Sequence, residues 1–417
     1  MSAILVWSIA AGTMAGILFR PRNWSEAVWP SLAALVLVVS GLLRFSQAVR
    51  AAAGGADVYL FLAGMMLLSE LARCAGVFDW LASIAARAAR DSRARLFSLV
   101  YLVGIVVTVF LSNDAAAVVL TPAVYAAVQK ARMKPLPYLL ICAFIANAAS
   151  FVLPISNPAN LVVYGKNLPP LAMWLRIFLA PSICSIAVTY CALRWFLRRE
   201  LGGTIGDGVE AKPLSRKGRV AAWGILGTGA VLMTASALGV NLGLPACVAA
   251  ALAVLLTIGG NGRAWSGIVK GVTWSVLPFV AGLFVLVEAI NQSGALAKVS
   301  GVLQACARMP GFAGPLASAF GVAGLSNVMN NLPSGLLFGA ALQKGNITAL
   351  IRDAVLIGVD LGPNLSITGS LATMLWLIVL RREGVQISGW RFLRIGLIVM
   401  PPSLALSIIA LSLFSSS

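Results

Sequence analysis

The chain contains no histidine, and its charged side chains are few and unbalanced. Charged residues make up 11% of the 417 positions, with 31 Lys and Arg against 13 Asp and Glu. Without histidine, any group that exchanges protons near neutral pH has to be a carboxylate, Lys, Tyr or water. The sequence also offers no nucleophile–base pair of the kind that catalytic sites use, so we expect that the protein is not an enzyme.

Cysteine is scarce and dispersed. The six cysteines stand singly, without a Cys-x-x-Cys pair. Dispersed cysteines of this kind indicate neither a metal site nor a disulfide framework. Single cysteines in apolar helices are usually small packing residues. We therefore predict no metal and no cofactor.

Hydrophobic residues are abundant, at 60% of the chain. Apolar segments near 20 residues recur along the whole length, which predicts an all-α polytopic membrane protein in the cell (inner) membrane. The net charge of +18 comes from Lys and Arg in short loops between the apolar segments. There they set the orientation and contact anionic lipid of the bilayer. No basic surface is left for nucleic acid, which we exclude as a partner.

The apolar segments divide into two similar halves. Each half is predicted to contain five spans and one helical hairpin that enters and leaves on the same side. The predicted spans are 3–19, 27–46, 57–76, 137–166 and 171–197 in the first half and 220–240, 244–260, 272–290, 348–380 and 394–414 in the second, with hairpins at 96–129 and 311–345.

Short motifs recur between the halves at a nearly constant distance. Ser112-Asn113 returns as Ser326-Asn327 after 214 residues, and Glu70 returns as Glu288 after 218. A nearly constant shift indicates an internal duplication. The halves are predicted to be an N-terminal repeat (1–197) and a C-terminal repeat (220–417), joined by a polar, glycine-containing linker (198–219).

Basic residues predict the orientation. Seven Lys or Arg lie between Arg194 and Arg219, five between Arg73 and Arg95, and four between Arg381 and Arg394. Placing these clusters and the linker in the cytoplasm follows the excess of Lys and Arg in cytoplasmic loops. An odd number of spans in each repeat then makes the two repeats inverted in the membrane. That arrangement builds a binding site near the midplane of secondary transporters.

Polar, helix-breaking residues interrupt the apolar sequence at matching places in the two halves. Such residues are costly at membrane depth unless they line a cavity or bind something. Half-helix ends and amide or hydroxyl side chains together suit a small, hydroxyl-bearing solute. The predicted substrate-binding residues are Ser112, Asn113, Asn157, Asn160, Asn327, Asn330, Asn331, Asn364, Ser366, Thr368 and Ser370. The alternative is that these residues only satisfy one another at kinked helices.

Two acids lie within the broken motifs. Asp114 follows Ser112-Asn113, and Asp360 precedes a Gly-Pro break. A carboxyl group held away from water and without a partner can load and release a proton during a transport cycle. Asp114 and Asp360 are therefore the predicted proton-coupling residues. The alternative for each is a helix-capping role, which the sequence predicts for Ser112, Asn113 and Asp114 together.

Five motifs carry a resemblance to a known family. They are Phe110-Leu-Ser-Asn-Asp-Ala-Ala, Thr121-Pro122, Ser156-Asn-Pro-Ala-Asn160, Met329-Asn-Asn-Leu-Pro333 and Asp360-Leu-Gly-Pro-Asn-Leu-Ser-Ile-Thr-Gly-Ser-Leu-Ala-Thr373. With these motifs the chain resembles the arsenite efflux permeases of the ion transporter superfamily. The resemblance implies export of trivalent arsenic and antimony, as neutral hydroxides, in exchange for protons. It also implies optional association with a cytosolic arsenite-stimulated ATPase.

Other functions remain open at this point. A sodium-coupled carboxylate symporter of the same superfamily would carry Ser-Asn-Thr motifs in both halves, whereas this chain has Ser-Asn-Asp, Ser-Asn-Pro and Ser-Asn-Val. A sodium/proton antiporter could use Asp114 and Asp360. An ion channel would need a continuous polar pore, but the breaks cluster at two points of the sequence.

Overall fold

The computed structural model describes residues 2–19, 24–90, 92–203, 213–259, 262–345 and 347–414. These residues form helices joined by short loops. The first half contains α1 (Ser2–Phe19), α2 (Val28–Val39), α3 (Phe45–Ala53), α4 (Ala56–Cys74), α5 (Val77–Ala88), α6 (Arg93–Phe110), a π-helical turn (Ala115–Leu120), α7 (Thr121–Lys130), α8 (Leu136–Ala148), a 3₁₀ turn (Pro154–Ser156), α9 (Pro158–Tyr164), a second 3₁₀ turn (Gly165–Asn167) and α10 (Leu171–Leu197).

The second half repeats this order closely. It contains α11 (Arg216–Ala237), α12 (Gly243–Ile258), α13 (Gly262–Gly271), α14 (Val276–Gln292), α15 (Ala295–Ala307), α16 (Ala313–Met329), α17 (Asn331–Lys344), α18 (Ala349–Leu361), a 3₁₀ turn (Gly362–Leu365), α19 (Leu371–Arg382) and α20 (Gly389–Phe414). Each α-helix of the first half therefore has a counterpart ten labels later.

The packing of the two halves is exchanged. Helix α2 packs on α14, its counterpart α12 packs on α4, and α10 packs on its own counterpart α20. This reciprocity is the pattern of a two-fold related pair. The inversion of the repeats relative to the membrane and the boundaries at 197 and 220 stay predictions.

Five described stretches are long and apolar enough to cross a bilayer. They are Arg93–Phe110, Leu171–Leu197, Arg216–Ala237, Arg263–Gln292 and Gly389–Phe414, with a sixth if α3 and α4, bent by 47°, are taken as one span. The predicted span 27–46 is instead a 12-residue helix followed by a separate one, α3. The predictions of long apolar helices and of a polytopic membrane protein are confirmed.

The two long interrupted segments are broken helices, as predicted. Helix α8 ends at Ala148, and Pro154 and Pro158 supply no backbone N–H to continue it. The Asn160 side-chain amide donates to the carbonyl oxygens of Ser150 (2.9 Å), Leu153 and Pro154, which the break leaves without helical partners. In the second half, Asn327 Nδ2 donates to the carbonyl of Gly362 at 2.9 Å.

The predicted hairpins also form. Helix α6 ends at Phe110, and Ser112 Oγ accepts a hydrogen bond from the backbone N–H of Ala115 at 3.1 Å. Asp114 makes no such bond, so the prediction that it caps the next helix is wrong. In the second hairpin the turn is Asn330, with φ of 76°, whose Oδ1 accepts from the N–H of Leu332 at 3.4 Å. Asparagine is one of the few residues that tolerates positive φ.

The predicted linker fits the ends of the helices around it, because α10 ends at Leu197 and α11 begins at Arg216. Its central part, residues 204–212, lies outside the described residues, and so do the glycines and acids that mark it as polar.

Candidate functional site

A cavity of about 410 Å³ lies between α4 and the first hairpin. Residues of α9, α14 and α19 complete its walls. Its lining side chains are mostly apolar, with a few polar groups, which is the usual composition of a small-molecule site. The lining residues are Leu62, Met65, Met66, Ser69, Glu70, Arg73, Ser112, Asp114, Ala115, Val118, Val119, Pro122, Pro158, Gly271, Val272, Thr273, Val276, Leu371, Leu375, Val379, Arg382 and Glu383.

The inner end of the cavity is formed by the two half-helix junctions. Ser112 and Asp114 come from the first hairpin, and Pro158 opens α9. A narrow space continues from there and is lined by Asn113, Asp114, Asn157 and Asn331. The three asparagines are 1–3% exposed, so their polar atoms at this point face only this space or one another. Four predicted substrate residues and one predicted proton-coupling residue therefore meet here.

The Asp114 carboxylate has no hydrogen-bond or salt-bridge partner among the described residues, although its backbone N–H is held by Asn113 Oδ1 at 2.9 Å. No Lys or Arg shares the inner end with it. The inner end thus presents one carboxylate and several amides. A ligand that donates hydrogen bonds suits this site better than an anion does.

The other end of the cavity carries paired charges. Arg73 Nε donates to Glu70 Oε2 at 2.8 Å, and a second guanidinium nitrogen bonds the other carboxylate oxygen. Glu70 is 7% exposed and packs against Gly271, where a Cβ atom would clash with the carboxylate. Arg382 and Glu383, at the end of α19, line the same end. Arg73 and Arg382 belong to the basic clusters that the sequence places in the cytoplasm.

Asp360 lies behind the narrow space, fully buried at the end of α18. Its two carboxylate oxygens accept hydrogen bonds from Ser150 Oγ at 2.7 Å and from Asn157 Nδ2 at 2.8 Å. Asn157 also lines the narrow space beside Asp114. One amide side chain therefore connects the two predicted proton-coupling acids.

Ser150 has two acceptors within reach. Its hydroxyl oxygen lies 2.7 Å from Asp360 Oδ2 and 2.7 Å from the carbonyl oxygen of Asn147. A hydroxyl carries a single proton, so it donates to one of them at a time. Beside a charged Asp360 it donates to the carboxylate. Beside a protonated Asp360 it can accept from the carboxylic acid and donate to Asn147.

The remaining predicted substrate residues do not line the cavity. Asn364 accepts from Asn147 Nδ2 at 3.0 Å and donates to the carbonyl of Phe144. Ser366 Oγ donates to Asn327 Oδ1 at 2.6 Å, and Thr368 donates to the backbone of Asn327. The group outside the cavity comprises Asn160, Asn327, Asn330, Asn364, Ser366, Thr368, Ser370 and Asp360. These side chains bond one another or helix ends, which is the alternative that the sequence left open.

Two polar features escaped the sequence analysis. Ser150 was missed because a small residue beside Asn147 in an apolar helix carries no distinctive signal. Asp353 was also missed. It is 2% exposed and bonded by the Tyr164 hydroxyl at 2.6 Å and by Arg352 Nε at 3.2 Å. An acid on the same helix, seven residues before Asp360, was the signal that could have found it.

No group of three or more His, Cys, Asp or Glu side chains converges within the described parts of the chain. The six cysteines, all of them described, are free thiols, and none is among the residues that line the cavity. The lining therefore offers oxygen, amide and thioether atoms.

Comparison with known proteins places this fold and site. The family model described as CitMHS, Citrate transporter, matches residues 14–356. The chain is 28% identical over 425 residues to an arsenical pump membrane protein of Yersinia enterocolitica, and 26% identical over 428 residues to one of Escherichia coli, in both cases with 98% of each chain covered. It is 23% identical to a putative arsenical pump membrane protein of Bacillus subtilis, covering 93% of this chain and 94% of the relative.

A solved structure shares the fold. The crystal structure of the YdaH transporter of Alcanivorax borkumensis superposes with a TM-score of 0.54 at 15% identity, covering 89% of this chain and 87% of that one. The predicted family resemblance and membrane location are confirmed by these relatives. The chain therefore belongs to the CitMHS family and is a multi-pass membrane transporter, similar over nearly its whole length to arsenical pump membrane proteins.

Proposed function

We propose that this transporter exports trivalent arsenic, as arsenite, and also antimonite, in the form of neutral hydroxides and in exchange for protons. The names of its relatives indicate the arsenical class of substrate. The neutral form and the proton are proposed from the chemistry of the cavity.

The observation that carries the proposal is the unpartnered Asp114 carboxylate at the inner end of the cavity. A neutral trihydroxide can donate hydrogen bonds to this carboxylate and exchange further bonds with Asn113 and Asn157. Citrate, which the family description names, carries carboxylates of its own. It would meet Asp114 without a cation beside it, and like charges at close range oppose binding. The same argument opposes the sodium-coupled carboxylate symporter.

The proposed direction of transport follows from where the cavity opens. Its outer end lies beside Arg73 and Arg382, which sit in two of the three basic clusters. Loops rich in Lys and Arg face the cytoplasm. In this orientation the cavity is accessible from the cytoplasm, the side from which an exporter takes its substrate.

Asp360 is proposed as the proton carrier. Its charged form accepts two hydrogen bonds, and Ser150 supplies an acceptor for its protonated form. A bond to a charged acceptor is roughly twice as strong as one to a neutral acceptor. Protonation of Asp360 therefore loosens Asn157, a lining residue of the narrow space, and so changes how firmly the substrate is held. In this scheme Asp114 stays charged and binds the substrate.

Transport into everted membrane vesicles tests the proposal. We expect accumulation of arsenite that a protonophore abolishes and that does not require sodium. Exchange against one proton yields roughly 2.3 kcal/mol per 100 mV. At about 1.4 kcal/mol per decade this sustains roughly a 40-fold gradient. Strict dependence on sodium, or uptake of citrate in place of arsenite, would contradict the proposal. Association with a cytosolic arsenite-stimulated ATPase remains a prediction of the family resemblance, testable by adding that partner and ATP with the protonophore present.

A further inference from the structure

Two surface grooves occupy equivalent places in the two halves. One lies between α1 and α15, with a volume of about 630 Å³. The other lies between α11 and α5, with a volume of about 610 Å³. Helix α11 is the counterpart of α1, and α5 is the counterpart of α15. The duplication has therefore kept both grooves, although neither belongs to the transport cavity.

The same helix positions line both grooves. The groove on α1 uses Ile4, Trp7, Ser8 and Ala11, and the groove on α11 uses Arg219, Ala222, Trp223 and Leu226. Each set follows the spacing i, i+3, i+4, i+7, which places its members on one helix face. The two sets are related by a constant shift of 215 residues.

Each groove also contains one cation and at least one tryptophan, contributed by different helices. In the groove on α11 the cation is Arg219, and Trp80 comes from α5. In the groove on α1 the cation is Lys298, which stands where the other half has Trp80, under the 218-residue shift that relates Glu288 to Glu70. The composition is preserved although the individual residues are exchanged. Neither cation has an ion pair among the described residues.

Apolar exposure alone identifies nothing here, because helices that face lipid expose apolar side chains everywhere. A concave apolar surface with an unpaired cation at its edge is more specific. Tryptophan is typical of the membrane–water interface, and Lys or Arg there attracts anionic headgroups. Trp223 and Trp7 are 73% and 43% exposed, as an interfacial position requires.

We propose that the two grooves, defined by the residues above, are binding sites for anionic phospholipids of the surrounding bilayer. The acyl chains lie in the groove against Leu226 or Ala11, and the phosphate lies beside Arg219 or Lys298. Helices α5 and α15 pack on the hairpins, whereas α11 and α1 pack on the neighbours α12 and α2. A bound lipid therefore fills the seam between the hairpin side and the α2–α12 side of the protein, once in each half.

Native mass spectrometry of the purified, full-length protein tests this proposal. The protein is mixed with phosphatidylglycerol or with phosphatidylcholine of the same acyl chains. We expect up to two retained phosphatidylglycerol molecules, one fewer in Arg219→Gln or Lys298→Gln, and none in the double variant. Loss of one interfacial cation should weaken binding at its site about 5-fold.

Lys134→Gln and Arg308→Gln are the matched controls, because both remove an exposed charge outside the grooves. Both should retain phosphatidylglycerol as the unmodified protein does. Arg219→Lys should restore binding and excludes a folding defect at that position. Equal retention of the two lipids, no retained lipid at all, or equal losses in the groove and control variants would overturn the proposal.

Discussion

Replacing Asp360 with asparagine separates proton coupling from substrate binding. Asparagine keeps the shape of the side chain but carries no titratable proton. Its Oδ1 can accept from Asn157, while its Nδ2 can donate to Ser150 Oγ, whose own proton then turns to the carbonyl of Asn147. The altered site remains fully bonded. Two hydrogen bonds to a charged acceptor become neutral ones, so the free energy of unfolding should fall by only about 1–3 kcal/mol.

The effect on transport should be much larger. Without a proton on this residue, one inbound charge per cycle is lost, and with it roughly 2.3 kcal/mol per 100 mV. The roughly 40-fold gradient expected of the unmodified protein should collapse to none. Exchange of labelled for unlabelled arsenite, which needs no proton, should persist. Both are measured in everted vesicles, the first with an imposed potential and the second with equal arsenite on both sides.

Asp353→Asn is the matched control. It makes the same substitution on the same helix, in an acid that is equally buried and also hydrogen-bonded, by Tyr164 and Arg352. Provided that the inserted amounts are equal, this variant should still accumulate arsenite. Full concentrative transport by the Asp360→Asn protein would refute the assignment of the proton to Asp360. Loss of accumulation in both variants alike would refute its specificity.

Three further predictions concern the substrate, the thiols and the topology. Asp114→Asn should lower both accumulation and exchange at least 10-fold without lowering the melting temperature, because Asp114 lines the cavity but caps no helix. A lowered melting temperature with normal exchange would contradict this. A variant with all six cysteines changed to Ala or Ser should still transport arsenite, because no cysteine lines the cavity; loss of transport in the inserted protein would implicate a thiol. Single cysteines at Lys130 and at Gln343, near the ends of the two hairpins, should label from opposite sides of the membrane if the repeats are inverted, and labelling from one side would exclude that topology.

The sequence predicted the broken helices because their signals are local. Pro154 and Pro158 lack the backbone N–H that a continuous helix needs, and the Gly362-Pro363 pair acts in the same way. The hairpin turns were equally visible, since Ser112 and Asn330 are good capping residues in an otherwise apolar stretch. The short helices α3 and α13 were missed. Each is ten residues or fewer and lies next to a span, where hydropathy does not resolve a bend.

The sequence could not separate the residues that line the cavity from those that bond one another. Asn157 and Asn160 are three residues apart and equally buried. The first lines the narrow space, whereas the second holds three carbonyl groups at the helix break. Which partner an amide finds depends on tertiary packing that no local pattern encodes. The partnership of Ser150 with Asp360 spans 210 residues and was invisible for the same reason.

The exchanged packing of the halves has a consequence for how such a chain could have arisen. Because α4 packs on α12 and α2 packs on α14, either half alone would expose the surface that the other half covers. A half-length protein of this design would be complete only when paired with a second copy of itself, with each copy using the same surface. Fusion of two such copies into one chain would preserve the assembly and free each half to change separately. The present molecule shows that outcome: an unpartnered acid, Asp114, stands in one hairpin, and its counterpart under the 214-residue shift is Val328.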